Sequence, residues 1–135
     1  MAREVFVLDA FGLMALFQDE PGAGRVQALI QQAQEGQADI FMAVVSLGEV
    51  AYGLEKRRGI DACVRALGAI DASPIIIVDV DRYLALQAAH LKASTNVGYL
   101  DCFVAALAQQ LTATVLTGDS DFEHIPGLAV EWLPV

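Results

Sequence analysis

Apolar positions along the chain fall into short β-rich runs that alternate with longer stretches of helical spacing. The run EVFVL at Glu4–Leu8 predicts a buried strand ending at Asp9, and residues 11–17 then take helical spacing. Pro21 can open a second helix, with Val26, Leu29 and Ile30 on one face and a stop near Gly36. Residues 39–45 (DIFMAVV) predict a second buried strand. Ser46 then opens a helix that runs through Arg58 and ends at Gly59. A helix over 61–70 and a strand at Ile75–Val78 follow, then a helix over 81–94 and a loop at 95–98. Residues 101–111 are almost wholly apolar with helical spacing, which predicts a central, buried helix. The chain closes with a strand at 114–116, a turn at 118–121 and an edge strand within 128–132. Strand–helix alternation at this density predicts an α/β fold, a parallel sheet with helices on both faces. The near-continuous apolar strands agree, because parallel strands are covered on both sides.

The 135 residues show no repeat and no linker, so one domain over 1–135 is expected. Hydrophobic residues make up 56% and charged residues 19%, which excludes a disordered chain. The longest unbroken apolar stretch, 102–108, is far below the roughly 18 residues of a membrane span. Glu4 and Asp9 interrupt the first apolar stretch, which argues against a secretory signal; a soluble, cytoplasmic protein is the expectation. Cys63 and Cys102 both lie in apolar helical patterns and read as core thiols in a reducing compartment.

Lys and Arg number 8 against 17 Asp and Glu, a net charge of −9, which argues against simple binding to a phosphate backbone. The distribution changes that picture. Asp9 follows the first strand and Asp119 and Asp121 follow the fourth, while Glu49 starts the helix after the second strand and Asp101 starts the buried helix. Ligand sites in open α/β sheets lie beyond the carboxyl ends of the strands, so all five acids can face one sheet edge. With these five set aside, 12 acids remain against 8 bases. Each acid also has a purely structural reading. Asp9 and Asp101 can cap helices, and Ser46-x-x-Glu49 and Ser120-x-x-Glu123 fit capping boxes. The repeated use of acids at these places weighs toward a shared pocket. Two carboxylates about 5 Å apart repel by roughly 3 kcal/mol at an effective dielectric near 20, so convergence calls for a cation. Oxygen-only ligation selects Mg²⁺ or Mn²⁺ over Zn²⁺, and neither the cysteines nor His90 and His124 have zinc-ligand spacing.

The segments VLDAFGLMALF (7–17), VVSLGEVAYG (44–53), LDCFVAALAQQL (100–111) and LTGDSDFEHIPGL (116–128) resemble, in order and spacing, the PIN-domain family of metal-dependent nucleases. The resemblance covers nearly the whole chain and points to the VapC-like toxin branch of toxin–antitoxin pairs. It implies a three-layer α/β/α sandwich around a parallel sheet. By position it implies acidic site residues at Asp9, Glu49 and Asp101 and a fourth at Asp119 or Asp121, with Asp119 closer to the metal and Thr117 supporting the cluster. It further implies a Mg²⁺- or Mn²⁺-dependent endoribonuclease, an RNA substrate (tRNA among the candidates), a cognate antitoxin and a homodimer. Two positions depart from the family pattern: Phe11-Gly12 replaces a small Ser/Thr-rich pair after the first Asp, and Tyr99-Leu100 stands where small residues precede Asp101.

The consecutive Lys56, Arg57 and Arg58 can guide an RNA strand or simply complement the carboxyl end of their helix. His124, Tyr52, Leu47 and Trp132 read as surface, packing or dimer residues. A second class of function is a PIN-like interaction module that acts by binding a protein partner with little or no catalysis. A phosphatase or phosphotransfer domain with an aspartyl nucleophile is disfavoured, because Asp9-Ala10-Phe11 lacks the second Asp that such enzymes place two residues on.

Overall fold

The computed structural model describes residues 3–135. Its elements run β1 (Glu4–Leu8), α1 (Ala10–Phe17), α2 (Ala23–Gln34), β2 (Ala38–Ala43), α3 (Val44–Arg58), α4 (Ile60–Asp71) and β3 (Ile75–Val78). Then come α5 (Arg82–Ser94), α6 (Tyr99–Leu111), β4 (Thr114–Thr117), a short 3-10 turn (Ser120–His124) and β5 (Val130–Trp132). The five strands form one sheet in the order β3-β2-β1-β4-β5, and every neighbouring pair is parallel. The expected α/β architecture is therefore present, with β5 as an edge strand.

Helices cover both faces. Phe6 and Leu8 of β1 face a core shared with α1, α2, α3 and α4, whereas Val7 faces the opposite core, built mainly with α5 and α6. This is the period-two alternation of a strand, apolar on both sides because both sides are roofed. In α6 the seven residues Cys102 to Ala108 are all buried. Its alanines at 105, 106 and 108 let the helix lie close over β1 and β4. Across the sheet, Arg25 of α2 makes a bidentate pair with Glu131 of β5, at 2.6 and 3.1 Å, and lies over the Phe6 ring. Gly59, with φ at 91°, breaks the path between α3 and α4, a conformation that suits glycine. Cys63 and Cys102 are free and buried, as expected of core thiols.

Two boundaries differ from the sequence reading. β2 stops at Ala43 and α3 begins at Val44, so Val45 is helical and Ser46 is not a cap. The β-branched pair Val44-Val45 reads locally as strand, but packing against the neighbouring helices overrides that weak preference. The Ser46–Glu49 capping box is therefore absent, and Glu49 stands in the second turn of α3, not its first. Helix α6 likewise begins at Tyr99, which makes Asp101 a first-turn residue and not its cap.

The chain order places the site. From β1 the chain moves outward to β2 and β3, then crosses to the other side of β1 to enter β4. The carboxyl ends of β1 and β4 are neighbours, with Leu8 paired in register with Leu116. Beyond that pair lies the crevice where the winding direction reverses, the customary ligand site of open α/β sheets.

Candidate metal centre

Asp9 and Thr117 stand at this crevice. Asp9 is only 4% exposed. One of its carboxylate oxygens accepts the Gly12 backbone N–H at 3.2 Å, and the other accepts the Thr117 hydroxyl at 2.6 Å. The chain of bonds continues outward: the Asp119 N–H donates to Thr117 Oγ1 at 3.0 Å, and the Asp121 N–H donates to an Asp119 carboxylate oxygen at 2.9 Å. Thr117 thus couples the loop after β4 to the residue that ends β1. Asp9 caps α1 and also belongs to the acidic cluster, so the two readings of this residue hold together.

Gly118 lies between those partners for a steric reason. A Cβ there would stand 2.4 Å from the Phe11 ring and 2.9 Å from Val135. Phe11-Gly12 leaves Asp9 no hydroxyl partner next to it in sequence. The backbone of Gly12 and the distant Thr117 supply the two hydrogen bonds instead.

Asp101, Asp119 and Asp121 each offer a carboxylate oxygen within 4.8 Å of the others, all partly accessible to solvent. Helix α6 carries Asp101, while Asp119 caps the 3-10 turn that carries Asp121. Asp9 and Glu49 complete the acidic field around the three. Burial pushes the Asp9 carboxyl up to about 7, against the lowering effect of Thr117 and Gly12, and Asp101 and Asp119 push in the same upward direction. Burial, followed by Asp119, Glu49 and Asp121, pushes Asp101 up to about 7 as well. Burial and then Asp119 raise Glu49. Asp119 thus raises Asp9, Glu49 and Asp101 alike, and Glu49 and Asp121 add to its effect on Asp101. Asp121, expected at the edge of the set, stands in its tightest group, while Asp9 is engaged by hydrogen bonds beside it.

The donor set fits a hard divalent cation. It is all carboxylate oxygen, closely spaced, and burial and mutual repulsion oppose its full ionisation without a counter-charge. No His or Cys takes part among the described residues.

Two clefts flank the acids. One, of about 350 Å³, is lined by Glu49 and Asp119 together with Phe11, Met14, Tyr52 and Arg57. The other, of about 490 Å³, is lined by Asp121, His124, Thr95 and Asn96. The three basic residues do not line one cleft. Arg57 lines the first cleft, Arg58 lines a separate apolar cleft with Phe17 and Leu54, and Lys56 is exposed on neither. Tyr52, read from the sequence as a surface, packing or dimer residue, lines the first cleft, as does Phe11. Tyr52's spacing of three from Glu49 is the one signal that could have suggested it.

Ser46 lies one turn before Glu49 on α3, fully buried, and its hydroxyl has no hydrogen-bond partner. An orphaned buried hydroxyl opposes folding. Ser46→Ala is therefore expected to leave stability unchanged or raise it by up to about 1 kcal/mol, read by urea denaturation. A loss well above 1 kcal/mol would show that this hydroxyl has a partner in solution.

The comparisons with known proteins agree with this geometry. No curated protein sequence matches the chain. Among solved structures, the VapBC2 complex of Rickettsia felis bound to a promoter DNA fragment superposes with a TM-score of 0.80. It has 19% identity over 96% of this chain and 99% of that one. The DNA-bound VapBC of Salmonella typhimurium gives 0.77, at 21% identity over 95% and 97%. VapC20 of Mycobacterium tuberculosis, a sarcin-ricin loop cleaving toxin, gives 0.71, at 17% identity over 87% and 92%. At such identities the likeness is one of fold. The family itself is fixed by sequence: residues 6–128, from the middle of β1 past the last acids of the crevice, match the PIN domain model, and the chain belongs to the PIN domain family.

Proposed function

We propose that the chain is a divalent-metal-dependent endoribonuclease and serves as the toxin of a toxin–antitoxin pair. One observation carries the reading: carboxylates from four separate parts of the chain converge where β1 and β4 end, and two of them are pushed up to about 7. Asp101, Asp119 and Asp121 would hold Mg²⁺ or Mn²⁺, with Asp9 and Glu49 completing the negative field. When bound, the ion supplies a lowered pKa to water and positive charge to the scissile phosphate. The chain's own residues do the rest. Thr117 fixes the Asp9 carboxylate and, through its Oγ1, the backbone that carries Asp119. Glu49, raised by burial and by Asp119, is suited to take a proton on its carboxylate from the attacking water. The two flanking clefts give a strand room on either side of the acids.

Solved relatives that are VapBC complexes support an antitoxin as partner. Two clefts share Phe17: one of about 270 Å³ among α1, α3 and α4, rimmed by Arg58 and Arg65, and a more apolar one of about 220 Å³ among α1, α2, α4 and β3; together they suit an amphipathic partner helix. Exposed Tyr83 and Leu86 on α5, with Tyr99 and Leu100 on α6, support a homodimer. No described helix is long and apolar enough to cross a membrane.

The test is cleavage of a mixed RNA pool, including total tRNA, by purified protein with Mg²⁺, Mn²⁺ or EDTA, beside Asp9→Asn and a DNA control. Discrete products are expected with metal, none with EDTA, and at least about 100-fold fewer from the variant. Absent products together with calorimetrically absent metal binding would replace the nuclease by the interaction-module reading.

A further inference from the structure

The cleft on the Glu49 side of the acids holds a cation that the acids do not use. Arg57 lines it, yet Arg57 makes no salt bridge among the described residues, and the raised Glu49 carboxyl owes its shift to burial and Asp119. The guanidinium is exposed. Beside it, the Tyr52 ring is 62% exposed. The partly buried Phe11 and Met14 make the cleft's apolar side, and Glu20 is a further acid on it.

Helix α3 sets the spacing. Glu49, Tyr52 and Arg57 lie at 0, 3 and 8 residues, within an arc of roughly 140° at 3.6 residues per turn. Arg57 is roughly 12 Å along the axis from Glu49. That separation along one cleft suits a phosphate beside the one that reacts at the acids. A planar fork with five donors suits a phosphate, and an exposed ring suits a base face. Arg58 falls on the opposite side of α3 from Glu49, and Lys56, although seven residues from Glu49 and on its face by phase, does not line the cleft.

We propose that Arg57 and Tyr52 form a subsite for single-stranded RNA, Arg57 taking a backbone phosphate and Tyr52 stacking a base, at a distance from the scissile bond. The proposal rests on the ribonuclease reading of the acidic centre. It makes Arg57 and Tyr52 positioning residues, which act through the strand and leave the reacting atoms to the acids.

The experiment pairs cleavage kinetics of a fluorescent single-stranded RNA in Mg²⁺ with anisotropy of the same RNA in Ca²⁺, which also takes oxygen ligands. Arg57→Gln is expected to raise KM about tenfold with kcat within twofold, and to lower the slope of log affinity against log salt by about 0.7. Tyr52→Ala is expected to weaken binding about tenfold, and Tyr52→Phe less than twofold. Arg58→Gln, on the opposite side of α3 from Glu49, serves as the charge-matched control and should change KM by less than twofold. If this control weakens binding as much as Arg57→Gln, or if Arg57→Gln leaves the salt slope unchanged, the subsite is overturned while cleavage by the unaltered protein still upholds the nuclease. RNA binding that depends on Arg57 without any cleavage would uphold the subsite and sink the nuclease. Tight occupation of the cleft by a basic peptide in place of RNA, lost on Glu20→Gln and indifferent to Arg57→Gln, would overturn the proposal in favour of a protein partner.

Discussion

Asp101→Asn is expected to abolish RNA cleavage and, at pH 8 without metal, to raise the melting temperature. The two effects share one cause. Asp101 is pushed up to about 7 by burial and then by Asp119, Glu49 and Asp121, so above that pH its charge is held against all four influences. Asparagine keeps the shape and removes the charge. Because the group is partly exposed, solvent screening limits the relief to about 1 kcal/mol, or roughly 3–5 °C for a chain of this size. The sign depends on pH. At pH 5 the aspartate carries its proton in the folded state but not in the unfolded chain, so the variant's advantage should shrink there without vanishing. Saturating Mg²⁺ should reverse the order at pH 8, because the unaltered protein gains more from the ion than the variant does. Loss of cleavage should reach at least about 100-fold. Scanning fluorimetry at the two pH values, with EDTA and with Mg²⁺, reads all of this. A variant that melts lower at pH 8 in EDTA would show that Asp101 serves the first turn of α6 more than the site.

Where the sequence was legible, it was so because one physical signal dominated. The strand at Glu4–Leu8 is buried on both faces, so its apolar run is unbroken up to Asp9. Helix α6 is sealed on all sides, and its seven buried residues are apolar without exception. Strand ends then located Asp9 and Asp119, because the crevice of such a sheet follows from the order of its elements. The beginning of α3 was not legible, since Val44 and Val45 carry the same local preference as the strand before them. Nor could spacing reveal that Thr117 bonds a residue 108 positions away, or that Asp121 returns to within reach of Asp101. Those contacts depend on how the turn after β4 folds back. The Lys56-Arg57-Arg58 run shows the same limit: it is uniform as sequence, and of the three only Arg57 lines the cleft beside Glu49 and Asp119.

Without metal, the protein is expected to lose stability as pH rises from about 4 to about 7, and divalent metal is expected to restore it above that range. Asp9 and Asp101 start from 3.8 and are pushed to about 7 in the folded chain. Between those values the folded state holds protons that the unfolded chain has released. Stability must then fall with rising pH through this window and level off above it. For Asp9, which is 4% exposed, a displacement of about three units corresponds to about 4 kcal/mol. Asp101 adds less, because water screens it. A metal ion binds the ionised carboxylates, so binding in this window expels protons and its affinity climbs with pH until both groups are ionised. Calorimetry in two buffers of different ionisation enthalpy should count one to two protons released near pH 6 and close to none at pH 8. Urea denaturation in EDTA should show greater stability at pH 5 than at pH 8, and Mg²⁺ should erase most of that gap. Stability that instead rises from pH 5 to pH 8 in EDTA would mean the fold already satisfies these charges by itself. Convergence of the acids would then be no argument for an ion at the ends of β1 and β4.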